Sequence, residues 1–167
     1  KKHHLKKVLR KLFYPINWLL QMNNSPLINI IVNCHNGEKF LEICLNSIFS
    51  QKFKDWEIIF FDNASDDMSK AICKKYGPKL RYFYSRKKLE LGHARAEALK
   101  KVNAKYVAFL DVDDVWLDDF LDSQVKILEN DIEIQMSYCG MLIMNEYSKV
   151  IGEIIPKANP NNVFKQQ

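Results

Sequence analysis

The sequence predicts an α/β fold with a mostly parallel sheet flanked by helices, and three observations carry that expectation. Short apolar runs recur at residues 28–32, 57–61, 80–84 and 106–110, each suited to a strand buried on both faces. Between them the apolar residues fall at helical spacing. The third observation is that most of the runs end in polar turns, which is where open parallel sheets place their ligands. Strand, helix, strand at this spacing gives right-handed crossovers and a sheet covered on both faces.

Size and composition agree. The chain has 167 residues, 47% apolar and 27% charged, room for one domain with a real core. Of its 25 Lys and Arg, six precede Leu12 with no acid among them, which leaves nineteen against 20 Asp and Glu in the rest. The body is nearly neutral, and no broad basic face argues for nucleic acid. Cys34, Cys44, Cys73 and Cys139 stand far apart with no Cys-x-x-Cys pair, so zinc and redox motifs are absent and a reducing, cytoplasmic compartment fits. No run reaches the apolar length of a membrane span, and the start has no secretory signal pattern.

In chain order, residues 1–24 read as a basic amphipathic arm. Leu5, Val8, Leu9 and Leu12 share a helical face with Lys and Arg between them, and Pro15 kinks or ends the helix. Such an arm suits the anionic inner face of a membrane, or packing on its own domain or a second subunit. After a linker at 23–26, the first strand (28–32) runs into Asn33-Cys34-His35-Asn36-Gly37. Asn36 is the expected N-cap of a helix that buries Leu41, Cys44, Leu45 and Ile48 as far as Gln51. The second strand (57–61) ends at Asp62-Asn63, and a helix follows through Ala71 and Ile72 until Gly77-Pro78 stops it. The third strand (80–84), a loop with Arg86, Lys87, Lys88 and Gly92, and a helix with Ala94, Ala98, Leu99 and Val102 lead to the fourth strand (106–110). Beyond Asp118 and Asp119 a helix points Leu121, Val125 and Leu128 inward. Ile132, Ile134, Met136 and Tyr138 alternate as a half-buried strand should, and residues 141–144 and 150–155 suit a hairpin. Residues 25–156 thus form the main domain, with a polar tail at 157–167.

The fourth strand runs straight into Asp111-Val112-Asp113-Asp114. Three carboxylates so close repel one another unless a cation or a donor network satisfies them. Hard divalent cations take oxygen ligands, and Mg²⁺ commonly pairs one or two carboxylates with waters and substrate phosphates. A metal–phosphate site at the strand's carboxyl end is therefore expected, against the plainer alternative of a solvated acidic turn.

Taken together, INIIVNCHNGEKFLEICLNSIFSQ, WEIIFFDNASDD, LGHARAEAL and KYVAFLDVDDVW resemble the nucleotide-sugar-binding half of a family-2 glycosyltransferase of the Rossmann-like GT-A fold, over about residues 28 to 130. The resemblance implies metal-dependent, inverting transfer of a sugar from a nucleoside-diphosphate sugar, UDP-sugar first, to a glycan or lipid-linked acceptor, as in cell-surface polysaccharide biosynthesis. It implies Mn²⁺ or Mg²⁺ as cofactor. Asn33, Cys34, His35 and Asn36, with Glu38 just inside its helix, then line the base and ribose pocket, and Asp62 or Asn63 hydrogen-bonds the base. Arg95 lies near the donor, Asp111 and Asp113 form the Asp-x-Asp pair on ribose and metal, and Asp114 is the next acid. His35 stands where the family usually has Tyr, and Asn33 where Pro or Thr is common. The acceptor half of the family normally supplies the general base. Past Ile132 only Glu133, Glu146 and Glu153 are acids, none in a motif, so no base is assigned and the tail reads as a truncated acceptor half.

Two rival readings remain at this stage. A haloacid-dehalogenase-type phosphatase also ends a strand in Asp-x-Asp and would use Asp111 as nucleophile. A non-catalytic nucleotide-sugar-binding or scaffolding domain needs only the donor half. The arm yields the first prediction: the protein co-sediments with anionic liposomes, and a variant lacking residues 1–22 does so less. Equal sedimentation of the two ends the membrane reading.

Overall fold

The computed structural model describes residues 25–145 and 149–155. The basic arm, Glu146 and the tail from Pro156 onward lie outside the described residues. The chain divides into one unit ending at Phe120 and a second beginning at Leu121.

In the first unit the described residues form a four-stranded parallel sheet in the order β3-β2-β1-β4. The strands are β1 (Ile28–Cys34), β2 (Trp56–Asn63), β3 (Leu80–Ser85) and β4 (Tyr106–Asp111). The helices are α1 (Glu38–Phe49), the short α2 (Ser69–Cys73) and α3 (Leu91–Leu99). All four expected strands form, and each runs one or two residues further toward its polar turn than its apolar run does. The reason is the ladder: once β1 is paired on both sides, Asn33 is held in extended backbone whatever its side chain.

Crossover handedness fixes the layers. The chain steps outward from β1 to β2 to β3, then returns past β1 to β4, so right-handed connections put α1 and α2 on one face and α3 on the other. On the α3 face, Ile31, Ile59 and Phe61 pack with Ala94 and Ala98, the two small residues letting the helix approach the sheet closely. On the opposite face Ile30, Val32, Ile58 and Phe60 are fully buried, as are Leu41, Leu45 and Ile48 of α1, the stripe its spacing predicts. Central strands buried on both sides explain why β1 and β2 are apolar on both faces, Asn29 and Glu57 apart.

Three local expectations are corrected. Asn36 does not cap α1: Gly37 holds the N-cap position without a side-chain bond, and Asn36 takes a left-handed backbone (φ 53°) that turns its side chain to another task. The helix after β2 is one short turn and a half, followed by a 3₁₀ segment over Lys74–Lys79 in which Gly77 adopts φ 70°. The alternating Ile132–Tyr138 stretch forms no strand. Ile132 is 93% exposed, and alternation without a neighbouring edge to pair with does not make a ladder.

In the second unit, α4 (Phe120–Asn130) leads to an antiparallel pair, β5 (Met141–Met144) with β6 (Val150–Ile154), bulged at Ile143/Met144. The hairpin expected there does form.

Gly37 is fixed by close approach. A Cβ built on it would lie 2.7 Å from Cys34 Sγ and 2.8 Å from Val112 Cγ2. Val112, the middle residue of the Asp-x-Asp pair, therefore seats on the turn between β1 and α1. Gly37→Ala should lower stability by about 1–3 kcal/mol in urea unfolding through overpacking. Adding Val112→Ala should recover part of that loss, since the two sites share one contact. No loss in the single variant, or no recovery in the double, contradicts this packing.

Candidate functional site

The register of the sheet assembles the rim. In β1, Asn33 pairs with Asp111 of β4 and Cys34 pairs with Asp62 of β2. The polar ends of three adjacent strands therefore meet where the chain reverses its winding, the topological switch point at which open α/β sheets bind ligands. Alternation then sorts them. Asn33, Asn63 and Asp111 belong to the α3 face, Cys34 and Asp62 to the α1 face.

A cavity of about 370 Å³ opens here, within the range of small-molecule sites. It is lined by Asn33, Cys34, His35 and Asn63 and closed by the segment from Lys88 to Leu91. Asn63 fixes that segment with a reciprocal pair: its Nδ2 donates to Leu89 O (2.8 Å) and its Oδ1 accepts from Leu89 N–H (2.8 Å). Asn33 is only 9% exposed, and neither its Nδ2 nor His35 Nδ1 has a hydrogen-bond partner.

The other predicted donor-site residues hold the scaffold. Asp62 is buried, with one oxygen accepting from Ser65 N–H (2.8 Å) and the other from Tyr82 O–H (2.5 Å). Burial and that bond push the Tyr82 phenol up, so it remains a donor. Asn36 Oδ1 accepts from Asp66 N–H (3.0 Å), and Asn36 N–H donates to Ser65 Oγ (3.0 Å). Glu38 is tied across the same gap twice, to Asp67 and to Met68. Glu38 N–H donates to Asp67 Oδ2 (2.9 Å), and Met68 N–H donates to Glu38 Oε2 (2.9 Å). Ser69 Oγ takes Gly37 N–H (3.2 Å). The first turn of α1 is thus capped from the 65–69 turn, a capping box split between two loops.

The acidic turn is braced by α1. Cys44 Sγ reaches Asp111 O (3.6 Å), Ser47 Oγ accepts from Trp116 N–H (3.2 Å), and fully buried Gln51 donates Nε2 to Leu117 O (2.7 Å). Lys52 N–H continues the series to Asp118 O (2.8 Å). On the opposite side, Arg95 Nη2 donates to Asp111 Oδ1 at 2.6 Å. Asp113 and Asp114 are exposed. Partial burial, then the charges of Asp113 and Asp111, raise the Asp114 carboxyl above its ordinary range. Among the described residues no three His, Cys, Asp or Glu side chains gather into a cation cage. A metal would therefore use one or two of these carboxylates and complete its shell from ligand and water, which suits their hard oxygens and relieves their mutual repulsion. Burial pushes the thiols of Cys44 and Cys73 up to about 12 and that of Cys34 upward too, so none is a thiolate nucleophile.

Comparison with known proteins decides the family. The profile described as Glycosyl transferase family 2 matches residues 29–157, more than half of the chain. The chain belongs to glycosyltransferase family 2. EpsE of Bacillus subtilis (strain 168), named as a glycosyltransferase, is 30% identical over 81% of this chain and 50% of its own. TuaG of the same organism, named for teichuronic acid biosynthesis, is 30% identical over 64% of this chain and 43% of its own. This chain thus spans about half or less of the length of these relatives. S. aureus TarS 1–349 in complex with UDP-GlcNAc superposes with a TM-score of 0.60 at 28% identity, covering 62% of this chain and 31% of that one. The fold also matches the expected GT-A type. Membership in the family sets aside the phosphatase reading, whose nucleophile Asp111 is here held by Arg95.

Reading the sequence alone missed Ser47, Gln51, Asp67, Ser69 and Tyr82. Only Gln51 carried a signal, a polar residue continuing the buried stripe after Ile48.

Asp67 supplies a pH test. Burial, the largest single influence, raises its carboxyl, but the Ser69 hydroxyl and the N–H groups of Glu38 and Ser69 together outweigh it and hold the group below the ordinary value. A depressed folded pKa contributes stability above the unfolded value, about 3.9, that disappears as pH falls through the folded one. Asp67→Asn should therefore be less stable than wild type at pH 7, with the gap closing below about pH 4. A gap independent of pH in urea unfolding contradicts the assignment.

Proposed function

We propose that this chain is the donor-binding half of a metal-dependent glycosyltransferase that uses a nucleoside-diphosphate sugar, UDP-sugar first, and acts on a glycan or lipid-linked acceptor. The observation that carries the reading is the pairing of Asn33 with Asp111 at the switch point beside a cavity of about 370 Å³. Family membership and the likeness to TarS bound to UDP-GlcNAc support it. The name of TuaG supports a place in cell-surface polysaccharide synthesis.

Each part of the rim has a task in this reading. Asn33, Cys34, His35 and Asn63 surround the base, and the segment from Lys88 to Leu91 walls it. Arg95 orients Asp111 toward ribose or metal, while Asp113 is the carboxylate free to take the cation, with Asp114 behind it. When bound, Mn²⁺ or Mg²⁺ neutralises charge developing on the diphosphate leaving group. Inverting attack at the sugar's C1 needs a general base. In the described part of this chain past Ile132 only Glu133 and Glu153 are acids, so we place that base in an acceptor half. Four free cysteines fit a reducing compartment, and the basic segment at 1–22 suits an anionic leaflet there. Among the described residues no helix is long and apolar enough to cross a membrane.

The test is thermal unfolding with nucleoside diphosphates and Mn²⁺. UDP at about 100 times its Kd should raise the melting temperature by roughly 5–10 °C. Asp113→Asn should weaken Mn²⁺-dependent binding about tenfold, or 1.4 kcal/mol. Binding with neither transfer nor donor hydrolysis favours the non-catalytic domain; no binding of any nucleotide sugar defeats both readings.

A further inference from the structure

We propose that Gln51 is a positioning residue for the cation, a buried amide that ties the backbone of the acidic turn to α1 and so keeps the carboxylates of that turn set for a divalent metal. The proposal rests on the donor-binding reading and adds to it a residue, outside the rim itself, that governs how tightly the metal is held.

The turn from Asp111 to Phe120 has little of its own to hold it. Asp113, Asp114, Val115, Leu117, Asp118 and Asp119 are all exposed, so the apolar burial that fixes the sheet is largely missing here. Within the turn, Asp114 N–H donates to Asp111 O (3.0 Å) and Phe120 N–H to Leu117 O (3.1 Å). The carboxylates of Asp111, Asp113 and Asp114 meanwhile repel one another, which favours opening of the turn until a cation arrives.

The restraint comes from α1. Cys44, Ser47 and Gln51, the last just past the helix end, follow one another at intervals of three and four residues and so lie along one line. That line meets the turn at successive backbone groups, Asp111 O, Trp116 N–H and Leu117 O. Lys52 N–H extends it to Asp118 O. None of these ties engages a carboxylate. The turn is fixed through its backbone, and the side chains of Asp113 and Asp114 stay exposed for a ligand.

Among these contacts Gln51 carries the most. The thiol of Cys44 is a weak donor and stands 3.6 Å from its acceptor. Ser47 is half-buried and accepts at 3.2 Å. The side chains of Lys52 and Asp118 pair at 3.4 Å but are 62% and 59% exposed, and such a surface pair contributes little. Gln51 is fully buried, and its Nε2 lies 2.7 Å from Leu117 O. The same nitrogen donates to Ser47 O (3.0 Å), so the amide is locked in one orientation between the helix end and the turn. A hydrogen bond from a group closed to water is stronger than one at the surface. Ligands held in place before the metal comes bind it more tightly than ligands that must be gathered.

The experiment follows Mn²⁺ binding to the 167-residue chain by electron paramagnetic resonance with UDP present, for wild type, Gln51→Met, Ser47→Ala and Ile48→Val. Melting temperatures are measured alongside. Met keeps the length and burial of Gln but cannot donate. Ile48→Val trims a fully buried neighbour on the same helix whose side chain makes none of the ties to the turn, so it reports what a loss of stability alone does. Gln51→Met should hold Mn²⁺ roughly ten- to a hundredfold more weakly, the scale on which partners behind a metal's ligands act, and the spectrum of the bound ion should change as its ligand set loosens. Ser47→Ala should shift both readings in the same direction. Ile48→Val should match wild type in affinity and spectrum. Wild-type affinity and spectrum in Gln51→Met, or an equal loss in Ile48→Val, overturns the proposal while donor binding stands. Should Gln51→Met fail to fold, Ser47→Ala is read in its place by the same criterion. A wild type that takes up no Mn²⁺ with UDP present overturns the metal-dependent reading itself, and this inference with it.

Discussion

The parallel register of β1 between β2 and β4 is the constraint on which the rest depends. It pairs Asn33 with Asp111 and Cys34 with Asp62, so segments nearly eighty residues apart in sequence end on one line. Slipping β1 by one residue would send every side chain to the opposite face, burying Asn33 among the α1 contacts and turning Ile30 and Val32 toward α3. The apolar residues on both faces of β1 forbid that less firmly than the helices do. Ala94 and Ala98 of α3 are matched to Ile31 and Ile59, and the turn at Gly37 has no room for Cβ under Val112.

The two faces of the rim have divided their tasks. Toward α1 and α2, polar groups are joined to one another: Asp62 with Tyr82 and Ser65, Glu38 with Met68, Asp67 with Glu38 and Ser69. These bonds satisfy backbone donors that the helix starts and turns would otherwise leave open. Toward α3, Asn63 is bonded to Leu89 and Asp111 to Arg95, while Asn33 and His35, which line the cavity, each keep one buried nitrogen without a partner.

Much of this was legible in the sequence. Four apolar runs, helical spacing between them and polar residues at the run ends are enough for the sheet, its crossovers and the rim, because burial on both faces leaves a period that little else imitates. The hairpin at β5 and β6 was also readable. The Ile132–Tyr138 alternation misled, since a period of two reports a strand only where an edge is there to pair with it. Asn36 misled for a different reason. Asn suits an N-cap and a left-handed turn equally, and only the distant 65–69 segment decides between them. Which of Asn33, Asp62 and Asn63 has its side chain tied to a partner was beyond the sequence altogether. All three are polar residues at strand ends, and the difference lies in Leu89 and Tyr82, partners contributed from 20 and more residues away.

The charge on the rim makes a final argument about its ligand. Arg95 offsets one carboxylate, Asp111, at a distance that leaves that pair nearly neutral. Asp113 and Asp114 remain, and burial, followed by the charges of Asp113 and Asp111, raises the Asp114 carboxyl. If the rim takes a diphosphate, as proposed above, Asp113 and Asp114 would repel the bare anion. A divalent cation carried with it would offset that repulsion, since hard cations take carboxylate and phosphate oxygens alike. An acidic rim would therefore favour the metal-linked anion over the free one, which a basic rim would not.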